Sequence, residues 1–289
     1  MIKFPQVGPA FLVTAAFIGP GTVITASIAG ANYGFALLWA LLFAVIASLI
    51  LQEMTARLGI VTQQGLGENI RQACKAPLLR YLAIVLVLSA IVVGNSAYQS
   101  GNISGASLGL ASIFASAAVE IPFAETVLPI FIGVIAFCLL ISGSYKLIEK
   151  ALILLVSIMS LAFIVTFLLT KPDVSLLLSG LFIPAIPDGA TLTVIALIGT
   201  TVVPYNLFLH AASMSQKWPC VTHLPKARAD LFFAIPLGGL ISMAILSTAA
   251  AAFFGQQASI TSAADLAPSL QPLFGDMASI FICIGLFSA

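Results

Sequence analysis

Ile18-Gly19-Pro20-Gly21-Thr22 lies at the centre of an apolar run that extends from about Val7 to Ala31. A helix needs roughly 20 residues to cross the hydrocarbon core of a bilayer, so this run is long enough to span it. A proline between two glycines interrupts it halfway. Proline has no backbone N–H and its ring collides with the preceding turn, while glycine accepts the dihedrals that result. Carbonyl oxygens near Ala16 are thereby expected to come free. Non-helical backbone at membrane depth survives only inside protein or against a cavity. A helix broken at mid-membrane is therefore a candidate binding site, of the kind transporters build.

Of the 289 residues, 61% are hydrophobic and 7% charged, whereas soluble domains carry about 25% charge. The chain reads as an all-α integral membrane protein, with one transmembrane transporter domain over residues 1–289. A net charge of +1 without a basic tract leaves no footprint for nucleic acid, so the lipid bilayer and a small solute are the expected partners. Cys74, Cys138, Cys220 and Cys283 are scattered without CxxC or metal-ligand spacing and read as ordinary apolar filler. No Ser/His/Asp, His-rich or paired-carboxylate constellation falls within the apolar runs. Neither an enzyme nor a cofactor is expected. Lys3 is followed by the long broken run with no small-residue cleavage site, which reads as a true span rather than a signal peptide.

Further apolar segments run from about Phe35 to Leu58, Leu78 to Ala111, Val127 to Ile141, Ala151 to Thr170, Thr191 to Ser215 and Leu231 to Phe254. With the first they make seven spans. An eighth opens near Asp276 and is still apolar at Ala289, so the chain is expected to stop inside a helix. With the N-terminus cytoplasmic, every Lys and Arg except Lys171 falls on the inner side. The positive-inside rule asks for that asymmetry. The expected location is the bacterial plasma membrane.

Two other segments are unusual. Gly94 to Asn102 crowds polar groups into the third span, with Asn95, Tyr98 or Gln99, and Asn102 at helical spacing on one face. Gly101, Gly105 and Gly109 form overlapping GxxxG motifs that would let a second helix approach. That face reads either as a hydrogen-bonded helix interface or as the lining of a hydrated pathway. In the sixth span, Gly199-Thr200-Thr201-Val202-Val203-Pro204-Tyr205-Asn206 repeats the pattern of the first break, with His210 one turn beyond. Breaks in the first and sixth spans are the sequence pointer to two inverted five-helix halves with a site at the midplane.

Taken together, Gly8 to Val13, Gly19 to Thr22, Leu37-Leu38-Trp39, Leu51 to Thr62 and Val203 to His210 resemble the Nramp family of metal-ion transporters. The resemblance implies a LeuT-like inverted-repeat fold with broken first and sixth helices, a cytoplasmic N-terminus and metal-ion transport, of which this sequence would be roughly the first two-thirds. It also marks departures. The family's first break reads Asp-Pro-Gly-Asn, with the aspartate and asparagine on the metal; here Gly19 and Thr22 hold those positions. Its sixth span reads Met-Pro-His, where this chain has Val203 and Tyr205. Its third-span aspartate and glutamate, associated with proton movement, fall on Asn95 and Tyr98, and only His210 remains of a histidine pair.

The implied substrate pocket is Ala16, Gly19, Thr22, Thr200, Val203 and Asn206, with any metal held by Gly19, Thr22, Thr200 and Val203. The implied proton pathway is Asn95, Tyr98 and His210, which would make the protein a symporter. No carboxylate or thioether remains in the pocket. Carbonyls and the hydroxyls of Thr22, Thr200 and Thr201 suit a largely hydrated divalent ion, a monovalent cation or a neutral solute better than a dehydrated transition metal. A membrane receptor or scaffold that moves nothing is the reading from another class. Outside the pocket, Glu53 and Arg57 are spaced to pair across one turn, and His223 is expected on a solvated loop.

Overall fold

The computed structural model describes residues 9–10, 14, 18–116, 121–143, 145–255, 284–285 and 287. Most of those residues are helical, with no strand among them. The first expected span is seen from Ile18 onward, and Ala16 lies outside the described residues, as does most of the expected eighth segment. Helix α1 spans Pro20–Tyr33 and ends where Gly34 turns the chain at φ 59°. A 3-10 turn at Gly34–Leu37 leads into α2, Leu38–Thr62. Gln63 closes α2 in the left-handed region, its amide donating to the carbonyls of Ile60 (2.7 Å) and Trp218 (3.1 Å).

Short α3 (Leu66–Ala73) follows, its start closed by Glu68 accepting from the Gly65 N–H at 3.2 Å. Helix α4 then runs unbroken for 40 residues, Pro77–Ser116, about 60 Å at 1.5 Å per residue. Helices α5 (Ala124–Ile141) and α6 (Tyr145–Thr170) are further spans. Helix α7 (Val174–Phe182) is too short to cross a membrane and is capped by the Asp173 carboxylate. The sixth span consists of α8 (Thr191–Thr201) and α9 (Pro204–Lys217), and α10 covers Leu224–Phe253. Six helical stretches among the described residues are long and apolar enough to span a bilayer, with α1 and α2 forming one of them and α8 and α9 another.

The core forms where α10 lies along α1, with α2 and α6 packed on α10's other sides. Gly30 makes the first contact possible. A side chain there would run into the Leu246 carbonyl and the Ala250 nitrogen, so only a bare backbone allows α1 and α10 this close. Small residues do the same work along α10, where Ala234, Gly238, Ala249 and Ala252 are all buried. The outward faces of α4 and α5 carry Leu78, Leu82, Leu86, Val93, Ile130 and Phe137, all exposed. In a bilayer such faces meet lipid at no cost. Hydroxyls inside the spans bond back to their own helix, as Ser107 does to Ile103 (2.6 Å) and Thr166 to Ala162 (2.8 Å). No water is available there to satisfy them otherwise.

Candidate functional site at the two helix breaks

Both predicted breaks are present. At the first, Gly19 is extended (φ −102°, ψ 178°) and Pro20 opens α1, where its missing N–H costs nothing. Thr22 is buried one turn into the helix. Pro20 sits against Gly105 of α4 so closely that any side chain at 105 would overlap the proline ring. The GxxxG reading therefore holds at Gly105, whereas a side chain at Gly101 would meet open space. One turn before Gly105, Asn102 leans onto the break. A Cβ built on Gly19 would lie 2.9 Å from the Asn102 Oδ1, closer than real side chains tolerate.

At the second break, α8 ends at Thr201, Val202 and Val203 leave the helix, and Pro204 opens α9. A helical carbonyl bonds the N–H four residues on. For Thr200 that residue is Pro204, which has none, so the Thr200 carbonyl is off the ladder. Its neighbours have other partners. The Gly199 carbonyl accepts from the Tyr98 hydroxyl at 2.8 Å, and the Thr201 carbonyl from Ser48 at 3.3 Å. The hydroxyls of Thr200 (3.1 Å) and Thr201 (3.3 Å) both donate back to the Leu197 carbonyl. They offer a ligand lone pairs rather than protons. Val203 is buried and contributes only apolar wall.

Helix α4 packs against both α1 and α9, so its polar run serves the two breaks together. Tyr98 reaches the second and Asn102 the first. The rings of Tyr98 and Tyr205 meet edge to face, with centroids 5.5 Å apart and planes at 76°. Asn95 and Gln99, expected on the same face, are exposed and make no such contact. The face is thus narrower than its spacing implied.

One turn beyond the break, Asn206 is 1% exposed, and neither atom of its carboxamide has a partner among the described residues. His210, fully buried, meets the Gln52 Oε1 through Nδ1 at 2.6 Å. Since Oε1 only accepts, Nδ1 carries the proton. Nε2 has no partner among the described residues. His210 is an interhelical hydrogen-bonder joining α9 to α2. Asp230, which sequence reasoning passed over, is buried at the start of α10 and accepts the Ala10 N–H at 3.0 Å. Its standing as the one acid in a 30-residue, largely apolar helix was the available signal.

Away from the breaks, Glu53 takes its close partner from another helix. Arg228 of α10 reaches it at 2.6 Å, whereas the expected Arg57 stands at 3.8 Å. His223 is half-buried, its Nδ1 3.3 Å from the Cys220 carbonyl. The Cys220 thiol is exposed and held below its ordinary range, chiefly by a hydrogen bond with the Thr222 side chain. A cavity of about 430 Å³ opens between α6 and α10, beside Thr14 and Ile18. Its walls are nearly all apolar, and Ser157 and Ser160 donate their hydroxyl protons to their own helix. It offers a cation little. Among the described residues, no group of three or more His, Cys, Asp and Glu side chains is arranged to hold a metal.

Residues 10–289 match the family model described as Nramp, natural resistance-associated macrophage protein-like. A divalent metal cation transporter MntH from Verminephrobacter eiseniae is 29% identical over 278 residues, covering 94% of this chain and 61% of that protein. Metal transporter Nramp3 from Oryza sativa subsp. japonica is 33% identical over 256 residues, covering 86% of this chain and 44% of the rice protein. A crystal structure of a manganese transporter from Eremococcus coleocola superposes with a TM-score of 0.75 at 22% identity, over 98% of this chain and 61% of that one. The chain thus spans well under the full length of these proteins.

Proposed function

The chain belongs to the Nramp family, and from that premise we propose that it forms the site-bearing part of a secondary transporter that works by alternating access. The cargo binds between the two breaks, among Gly19, Thr22, Thr200, Val203 and Asn206, with the segment around Ala16 completing the pocket. The cargo we propose is a divalent metal ion that keeps part of its water shell. One observation carries this reading: no carboxylate or thioether stands at either break, where Gly19, Thr22 and Val203 are found instead. Removing the water of a divalent ion takes several oxygen ligands, carboxylates among them. A site of amides, hydroxyls and one released carbonyl is better matched to an ion that brings its own waters. Losing the sulfur ligand also removes the preference for softer transition metals over hard ions.

The N-terminus is cytoplasmic in this proposal, which follows the charge asymmetry. Of the three residues named for proton movement, His210 is the one left to carry it, since Asn95 does not titrate and the Tyr98 hydroxyl is engaged with Gly199. Uptake of Mg²⁺, Ca²⁺ and Mn²⁺ into liposomes holding the complete protein tests the reading. Flux of Mg²⁺ at least equal to that of Mn²⁺ is the expected result, and flat traces for all three ions would sink it. The neutrality of Asn206 and the Tyr98–Tyr205 pair favours a second reading, an uncharged or monovalent solute. Thermal stabilisation by small metabolites, with no response to divalent ions, would decide for it.

A further inference from the structure

We propose that Asn102 is a specificity-determining residue of this site, supplying from α4 the oxygen ligand that residue 19 does not have. The proposal rests on the transport reading above and extends it to a helix that the pocket residues do not include. Two contacts fix where the helix that carries it stands. Gly105 receives Pro20, which locks α4 in register with the first break. Tyr98, one turn earlier on α4, is tied to the Gly199 carbonyl at 2.8 Å, which locks the same helix to the second. Between these anchors Asn102 puts Oδ1 where a side chain at position 19 would begin.

Asn102 is half-buried and makes no hydrogen bond with any described residue. Its carboxamide oxygen is thus left to accept from a cation's waters or to face the cation itself. Asn206, more deeply buried and with both amide atoms unpaired among the described residues, is a second neutral amide at the other break. Two carboxamides in place of a carboxylate give the site oxygen dipoles without formal charge. Such dipoles bind a divalent cation or its inner waters but pull too weakly to strip the shell. The ligand class is therefore a hydrated divalent cation, with Asn102 setting how firmly it is held.

The test uses the complete protein in liposomes, with Mg²⁺ and Mn²⁺ uptake and the unfolding temperature measured together. Asn102→Leu keeps the volume and removes the oxygen; it should raise KM for Mg²⁺ by about tenfold, as losing one oxygen contact to a charge does. The maximal rate and the unfolding temperature should hardly change. Asn102→Asp keeps the shape and adds charge, so it should lower KM for both ions and raise Mn²⁺ uptake relative to Mg²⁺. Should Asn102→Leu fail to fold, Asn102→Asp carries the test alone. Wild-type KM and ion preference in a folded variant would overturn the proposal. Gly19→Asp brings its own oxygen beside the flexible end of Asn102, which can turn aside, so in that background Asn102→Leu should change the KM for Mg²⁺ much less than in the wild type; an equal change in both backgrounds would also overturn the proposal. Wild-type protein silent to both ions sinks the transport reading first and this assignment with it, which is a different result from flux that ignores Asn102.

Discussion

The two breaks share a design of proline at the first helical position but acquire their polarity in opposite ways. The first is bare. Gly19 contributes backbone only, and the polar atom beside it comes from Asn102 on a different helix. The second is rich in oxygen of its own, yet most of that oxygen is already engaged: Tyr98 takes the Gly199 carbonyl and Ser48 the Thr201 carbonyl. What remains there is the Thr200 carbonyl that Pro204 releases. The first break therefore depends on shape, on how closely α4 approaches, whereas the second depends on which hydrogen bonds are made.

Substitutions can break that contrast in order of severity. Gly105→Leu should do most, because the side chain has to displace Pro20. Overpacking costs about 1–3 kcal/mol, and here it also pushes Asn102 away from Gly19. Unfolding followed in detergent should shift down by several degrees, and uptake should be lost. Gln52→Leu comes next, since it strands the buried His210 Nδ1–H, a loss of about 1–3 kcal/mol. Denaturation midpoints compared with those of the double variant Gln52→Leu, His210→Leu would test this, with part of the stability returning in the double.

Tyr98→Phe sharpens the contrast instead of destroying it. The edge-to-face ring contact with Tyr205 survives while one neutral hydrogen bond goes, a change of about 1 kcal/mol. Uptake should persist with altered KM, and a second released carbonyl at the second break is the reason. The smallest effect belongs to Arg228→Gln. The Arg228–Glu53 pair lies outside both breaks and is partly exposed, so its loss should cost under about 1 kcal/mol and shrink further in high salt. A large effect on substrate affinity there would mean that the ends of α2 and α10 control the site.

Much of this was legible in the sequence, for identifiable reasons. Proline and glycine act on the backbone locally, so both breaks could be read from Gly19-Pro20 and Val203-Pro204 alone. Long apolar runs similarly announced α2, α4, α5, α6 and α10. Helices α3 and α7 escaped notice because neither spans, and eight or nine residues carry too little periodicity to stand out. Partners distant in the chain were out of reach. The Glu53–Arg57 pair could be read because the spacing is local, while the closer partner, Arg228, is 175 positions away. The polar face of α4 was visible as a pattern, but which of its members faced inward depended on the Gly105–Pro20 contact, which only packing reveals. The hydroxyls of Thr200 and Thr201 looked free because their return bonds to Leu197 need a helix already built.

Helix α4 has one more consequence, and it is mechanical. A rod of 40 residues is about 60 Å long, twice a hydrocarbon core of about 30 Å. One close contact, Gly105 on Pro20, lies well off centre. From that pivot the arm back to Pro77 is about 42 Å and the arm forward to Ser116 about 17 Å. A rigid tilt about the pivot would sweep the Pro77 end some two and a half times as far as the Ser116 end, at about the ratio of those arms. Asn102 sits almost on the fulcrum, one turn away. A lever of this shape can travel far at its long end while hardly moving the side chain that stands beside the first break.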